Sequence, residues 1–234
     1  MEKAVMKTCN TNRQMSESFL TAALLSVSGG LQDSYSYIVR GEVFANAQTG
    51  NIVLLSRYVF EGKFYAALHY LVPLIFFSLG VATAELIRQK YKNARKVHWR
   101  QLVLIIEMGL LVLVGFFPEK WNLLANSLVS FSCAMQVQAF RKVKGYAFAS
   151  TMCIGNIRSG VEDLCTYGRT KNKKILYKSF HYFSIIFLFA LGAGLGSRLI
   201  QMGGIHTIWA SVALLSIGFY LMFIREEEKK VENQ

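Results

Sequence analysis

Two carboxyl groups and two glycine–asparagine pairs stand in apolar sequence, where polar groups are expensive to keep. Asp33 lies in Gly29-Gly30-Leu31-Gln32-Asp33-Ser34-Tyr35, and Glu107 about one-third of the way along the apolar run 101–117. A charged side chain facing lipid costs about 3 kcal/mol or more, so each carboxyl is expected to face a bundle interior. Either can carry a coupling proton or bind a cation. Equally, Glu107 can sit neutral and hydrogen-bonded at a helix interface, and Asp33 can pair with Arg40 or Arg57.

The first Gly-Asn pair, Gly50-Asn51, closes the polar stretch 41–53, and the second, Gly155-Asn156, closes a weaker copy over 145–158. Glycine permits a turn, and a helix beginning there presents the positive end of its dipole to a polar or anionic group. Asn46, Gln48, Thr49 and Asn51 add donors and acceptors in the first copy, as do Thr151 and Asn156 in the second, with Gln136 on the apolar run before it. Asn51 and Asn156 are also suited to capping helices and satisfying the turn alone. Arg158 occupies the place of Val53 and can hold an anion, unless Glu162 or Asp163 engages it. The candidate solute site is thus Asn46, Gln48, Thr49, Gly50, Asn51, Gln136, Thr151, Gly155, Asn156 and Arg158, with Asp33 and Glu107 for a coupling ion or proton.

Enzyme signals are missing. No His-Glu-x-x-His, Gly-x-Ser-x-Gly or Walker loop occurs, and the four histidines are scattered at segment ends. The four cysteines form no Cys-x-x-Cys pair and show no metal-ligand spacing. No catalytic residue, metal or cofactor is expected.

The elements that must position these residues are long apolar segments. Of 234 residues 53% are hydrophobic and 17% charged, with mean hydropathy +0.33, a balance that favours a membrane protein over a soluble one. Apolar runs fall at about 18–39, 65–87, 101–117, 121–139, 178–200 and 205–224. Each has the length an α-helix needs to cross a ~30 Å hydrocarbon core. Two further segments, about 43–60 and 147–164, carry the Gly-Asn pairs. If both are re-entrant and the N-terminus is inside, twenty of the 26 Lys and Arg residues fall on the cytoplasmic side and five outside, as the positive-inside bias requires. Eight full crossings favour neither orientation. The same placement explains the net charge of +12 without nucleic acid.

The halves repeat. Displacement by 104 superposes Leu24 on Leu128, Gln32 on Gln136, Gly41 on Gly145 and Phe44 on Phe148, with eight identities over 24–45. One inserted residue then aligns the two Gly-Asn pairs, and Leu79-Gly80 matches Leu191-Gly192. Three spans per half is an odd number, so the second half is expected upside down relative to the first. The expected architecture is an all-α integral membrane protein, with six transmembrane helices and two re-entrant segments in a 3+3 inverted repeat. Residues 1–17 and 225–234 are cytoplasmic tails. The single transmembrane domain 18–224 comprises repeats 18–117 and 121–224.

Gly30-Leu31-Gln32-Asp33-Ser34-Tyr35-Ser36-Tyr37, followed by Gly41-x-Val43-Phe44-Ala45-Asn46-x-Gln48-Thr49-Gly50-Asn51, resembles the signature of the YoaK-like (UPF0700) bacterial transmembrane proteins, a family of unknown function. The resemblance covers about 18–224 and implies a multi-pass protein of the bacterial plasma membrane. The second copy departs from it, with Ile154-Gly155-Asn156 in place of Thr-Gly-Asn and Arg158 in place of an apolar residue. The leading expectation is a secondary transporter or facilitator of a small polar or anionic solute held between the two tips. Its partners are that solute, membrane lipids and, in an oligomer, further copies of the chain. A channel is a close variant. A non-transporting membrane protein whose basic loops dock lipid or a cytosolic partner is the competing class.

Overall fold

The computed structural model describes residues 18–92, 99–143 and 146–232, and the chain is helical almost throughout. The tail 1–17, part of the basic tract 88–100, Lys144, Gly145 and the last two residues lie outside the described residues. Among the described residues eight α-helices follow in order: α1 (Phe19–Val39), α2 (Gln48–Phe60), α3 (Phe64–Tyr91), α4 (Trp99–Val114), α5 (Asn122–Ala139), α6 (Cys153–Thr170), α7 (Lys173–Gly203) and α8 (Ile208–Glu232). A hairpin of two-residue strands, Lys142–Val143 with Tyr146–Ala147, separates α5 from α6.

Local chemistry sets the ends. Ser18 caps α1 by accepting from the Thr21 N–H, and Asn172 caps α7 by accepting from the Lys174 N–H, each worth about 1 kcal/mol. Lys171, in the left-handed region, ends α6. At the exit of α1, Gly41 and Glu42 both take positive φ and turn the chain sharply toward α2.

The eight helices sort into inner and outer members. α1 and α5 bury polar side chains along much of their length, among them Ser26, Ser28, Gln32 and Asp33 on α1 and Asn126, Ser130, Ser132 and Gln136 on α5. α3 and α7 expose large apolar side chains along their middle stretches, such as Leu68, Leu79, Phe187 and Leu195. Exposed apolar surface of this extent is unfavourable in water and suited to lipid. Two stretches, Phe64–Tyr91 and Lys173–Met222, are long and apolar enough to cross a membrane by length and composition. The others among the six expected spans fall short of that measure. α4 has only 16 residues, and the inward faces of α1 and α5 are polar.

The packing is matched when the halves are exchanged. α1 packs mainly on α7, and its repeat counterpart α5 packs mainly on α3. α2 packs on α3 as α6 packs on α7, and α8 packs on α1 as α4 packs on α5. The match extends to single atoms. A Cβ on Gly80 would strike the carbonyl of Phe131, and one on Gly192 would strike the carbonyl of Val27. Val27 and Phe131 are related by the same 104-residue displacement that aligns α1 with α5. Backbone touches backbone at both places, which only glycine allows.

Candidate functional site

The first loop folds back onto α1. The Asn46 N–H donates to Asp33 Oδ1 at 2.8 Å, and Asn46 Nδ2 reaches the same oxygen and the Gly29 carbonyl, each at 3.3 Å. Ser36 Oγ accepts from the Ala45 N–H. Asp33 is therefore the anchor of the loop, held at the N-terminal side of α2 by backbone and side-chain donors. It makes no ion pair with Arg40 or Arg57 among the described residues.

Beside it lies a second carboxyl. Gln32 Nε2 donates to Glu107 Oε1 at 3.3 Å and to Ser28 Oγ at 3.1 Å, while Cys133 Sγ donates to Gln32 Oε1 at 2.8 Å. α1, α4 and α5 thus meet in one buried polar patch. Glu107 Oε2 and Asn46 Oδ1 are buried there with no hydrogen-bond partner. An unsatisfied buried acceptor costs about 1–3 kcal/mol, so each of these oxygens is an energetic cost that a donor would relieve.

The second loop comes to the same level. Gln136 Nε2 donates to Ser150 Oγ and to the Leu25 carbonyl. The γ-methyl of Thr151 lies against Gly29, where a Cβ would strike it. Asn46 from the first loop and Thr151 from the second therefore both touch Gly29, in the middle of α1.

The asparagines of the two pairs act on their own loops. Asn51 is fully buried: its Oδ1 accepts from the Phe44 N–H, and its Nδ2 donates to the Phe44 carbonyl at 2.7 Å and to Gln48 Oε1 at 2.9 Å. Gln48 Nε2 in turn donates to the Ala45 carbonyl. Asn156 Nδ2 donates to the Ala149 carbonyl, seven residues back, the same span as Asn51 to Phe44. Neither α2 nor α6 has a side-chain cap on its first N–H groups, and these asparagines brace the entering chain instead. Gly50 allows the Phe44 ring to approach α2, whereas Gly155 faces open space.

Other expected residues stand apart from this patch. Thr49 and Arg158 are exposed, and Arg158 pairs with neither Glu162 nor Asp163. Asp163 is taken by Lys178 at 3.0 Å. Arg40, offered as a partner for Asp33, is fully buried. Its guanidinium instead donates to the Tyr35 hydroxyl, to the carbonyls of Val114 and Phe117, and to Asn122 Oδ1. It closes the C-terminal end of α4, where a cation suits the helix dipole. Sequence reasoning passed over Gln32, Ser36, Ser150 and Cys133. For Gln32 a signal existed, since the repeat pairs it with Gln136.

A helical bundle with polar inner helices, apolar outer ones and buried carboxyls defines a membrane protein with a polar interior. The chain matches, over residues 21–221, the family described as "Protein of unknown function (DUF1275)", and it belongs to that family. It is 28% identical over 149 residues to the UPF0700 transmembrane protein YoaK of Bacillus subtilis (strain 168); the match covers 61% of this chain and 65% of that protein, just under two thirds of its length. No solved structure matches the chain.

Proposed function

We propose that the chain is a multi-pass protein of the bacterial plasma membrane that carries a small polar solute, and that Asp33 and Glu107 serve as the coupling proton or cation site. The observation that carries this reading is the convergence of both loops on Gly29, beside the buried carboxyls of Asp33 and Glu107, with Glu107 Oε2 and Asn46 Oδ1 left without partners. Discontinuous helices meeting near mid-membrane are the usual setting of a transporter site.

The matched contacts of Gly80 and Gly192 support a 3+3 inverted repeat, and the placement of Lys and Arg supports cytoplasmic termini. α2 supports the re-entrant reading of the first segment: its 13 residues span about 20 Å, too little for a ~30 Å core. α6 carries Arg158, Glu162, Asp163 and Arg169, too much charge for a crossing helix. The buried charge at the site is acidic and Arg158 is exposed, so a neutral or cationic solute suits it better than an anion. The role is transport rather than catalysis.

The test is uptake into liposomes reconstituted with the purified chain, using a panel of labelled polar solutes under imposed proton or Na⁺ gradients. Accumulation against a gradient, abolished by Asp33→Asn or Glu107→Gln in protein that remains folded, is the expected result. Downhill, non-saturating flux indifferent to both substitutions would instead establish a channel. No flux of any solute, with a partner co-purifying stoichiometrically, would overturn the reading.

A further inference from the structure

α7 carries a stripe that changes character along its length. Lys173, Tyr177, Phe180, Ser184 and Phe187 recur at the three-, four- and seven-residue spacings that share one helix face. Where the N-terminal end of α1 meets this face, a groove of about 450 Å³ is lined by Phe19, Phe180, Phe183, Ser184, Phe187 and Leu188. Its lining is apolar except for one hydroxyl. Phe19 is held at the rim by stacking on His181, ring centroids 5.1 Å apart.

We propose that this groove holds one acyl chain of an anionic phospholipid whose headgroup phosphate sits at Lys173 and Lys174. Charge and length both point to that occupant. Lys173 and Lys174 are exposed and meet no carboxylate among the described residues, while the nearby Lys178 is taken by Asp163. Lys171 lies over the Tyr167 ring, adding positive charge at the same end. Tyr177, 65% exposed, stands between the lysines and the phenylalanines, at the position of an interfacial aromatic. From Lys173 to Leu188 the helix rises about 22 Å, close to the depth of one leaflet, half of a ~40–45 Å bilayer. The lysines then reach headgroup level when the groove ends near mid-membrane, and each basic residue at an anionic surface contributes attraction. A peptide or a second copy of the chain would not need this graded order of cation, tyrosine and phenylalanine. The inference concerns the lipid-facing side of α7 and stands apart from the transport reading.

The test compares purified protein in micelles supplemented with phosphatidylglycerol or with phosphatidylcholine of identical chains, by thermal unfolding and native mass spectrometry. Phosphatidylglycerol is expected to raise the melting temperature by several degrees more than phosphatidylcholine, saturably, and to survive as a bound adduct. The double variant Lys173→Gln/Lys174→Gln should lose that preference while melting normally in phosphatidylcholine. Ser184→Trp, which fills the groove, should lose the adduct. Equal stabilisation by both lipids, or a preference that survives the lysine variant, would overturn the proposal. So would a dimer, in place of a lipid adduct, that Ser184→Trp abolishes.

Discussion

Replacing Gly192 by Ala puts a methyl group on the carbonyl of Val27, and replacing Gly80 by Ala puts one on the carbonyl of Phe131. Neither obstacle is a side chain that can rotate away, so α7 must move off α1 and α3 off α5. Overpacking costs about 1–3 kcal/mol where neighbours can adjust, and a rigid backbone obstacle argues for the upper end. The intrinsic helix preference of Ala over Gly returns about 1 kcal/mol. A net loss of about 2 kcal/mol per substitution follows, or about 4–8 °C in melting temperature for a chain of this size. Gly194→Ala is the control, because a Cβ there meets nothing within 4 Å. The three variants and the double variant Gly80→Ala/Gly192→Ala would be unfolded thermally in one detergent. Gly80→Ala and Gly192→Ala should lose stability to similar extents, the double variant should lose about the sum, and Gly194→Ala should match or exceed the parent. If Gly192→Ala behaves like Gly194→Ala, the close approach of α7 to α1 is wrong.

Arg40→Met should cost about 3 kcal/mol, since the Phe117 carbonyl would be buried without a donor and that of Val114 would keep only the Phe117 N–H, and Arg40→Lys should recover only part because an ammonium lacks the guanidinium fork; thermal unfolding of the two variants side by side checks both. Asn51→Ala should destabilise more than Asn156→Ala, as three hydrogen bonds are lost against one, and limited proteolysis should find loop 41–47 opened first. Glu61 is held below the usual carboxylate range by hydrogen bonds from Lys63 and Arg57. Its folded-state value being depressed, its small contribution is complete above about pH 4.3 and fades as pH falls further, so Glu61→Gln should flatten that part of a melting-temperature profile across pH 3–6.

The helices were legible because apolar runs of membrane length announce themselves, and α1, α3, α5, α7 and α8 begin within a few residues of those runs. The inward placement of Asp33 and Glu107 followed from the cost of setting either against lipid. Arg40 was not legible. Its partners are mainly carbonyl oxygens and a tyrosine hydroxyl, groups every sequence contains, so no charge pattern marks the pairing. The roles of Asn51 and Asn156 were legible only as a choice between solute and turn, and loop geometry decides that each braces its own entry strand. Arg158 illustrates the limit of arguing by repeat: its aligned position near the second tip does not carry its side chain inward.

The exchange of partners between the halves has a consequence for synthesis. α1 is made first, yet its principal partners, α7 and α8, are made last. Until they arrive, Gln32 and Asp33 must be sheltered by the loop that follows them and by α4 and α5, or α1 must wait at the insertion machinery. Neither half can complete its own packing, because α3 is matched to α5 and α7 to α1. Two fragments severed between α4 and α5 should therefore be degraded when made singly and be rescued when made together.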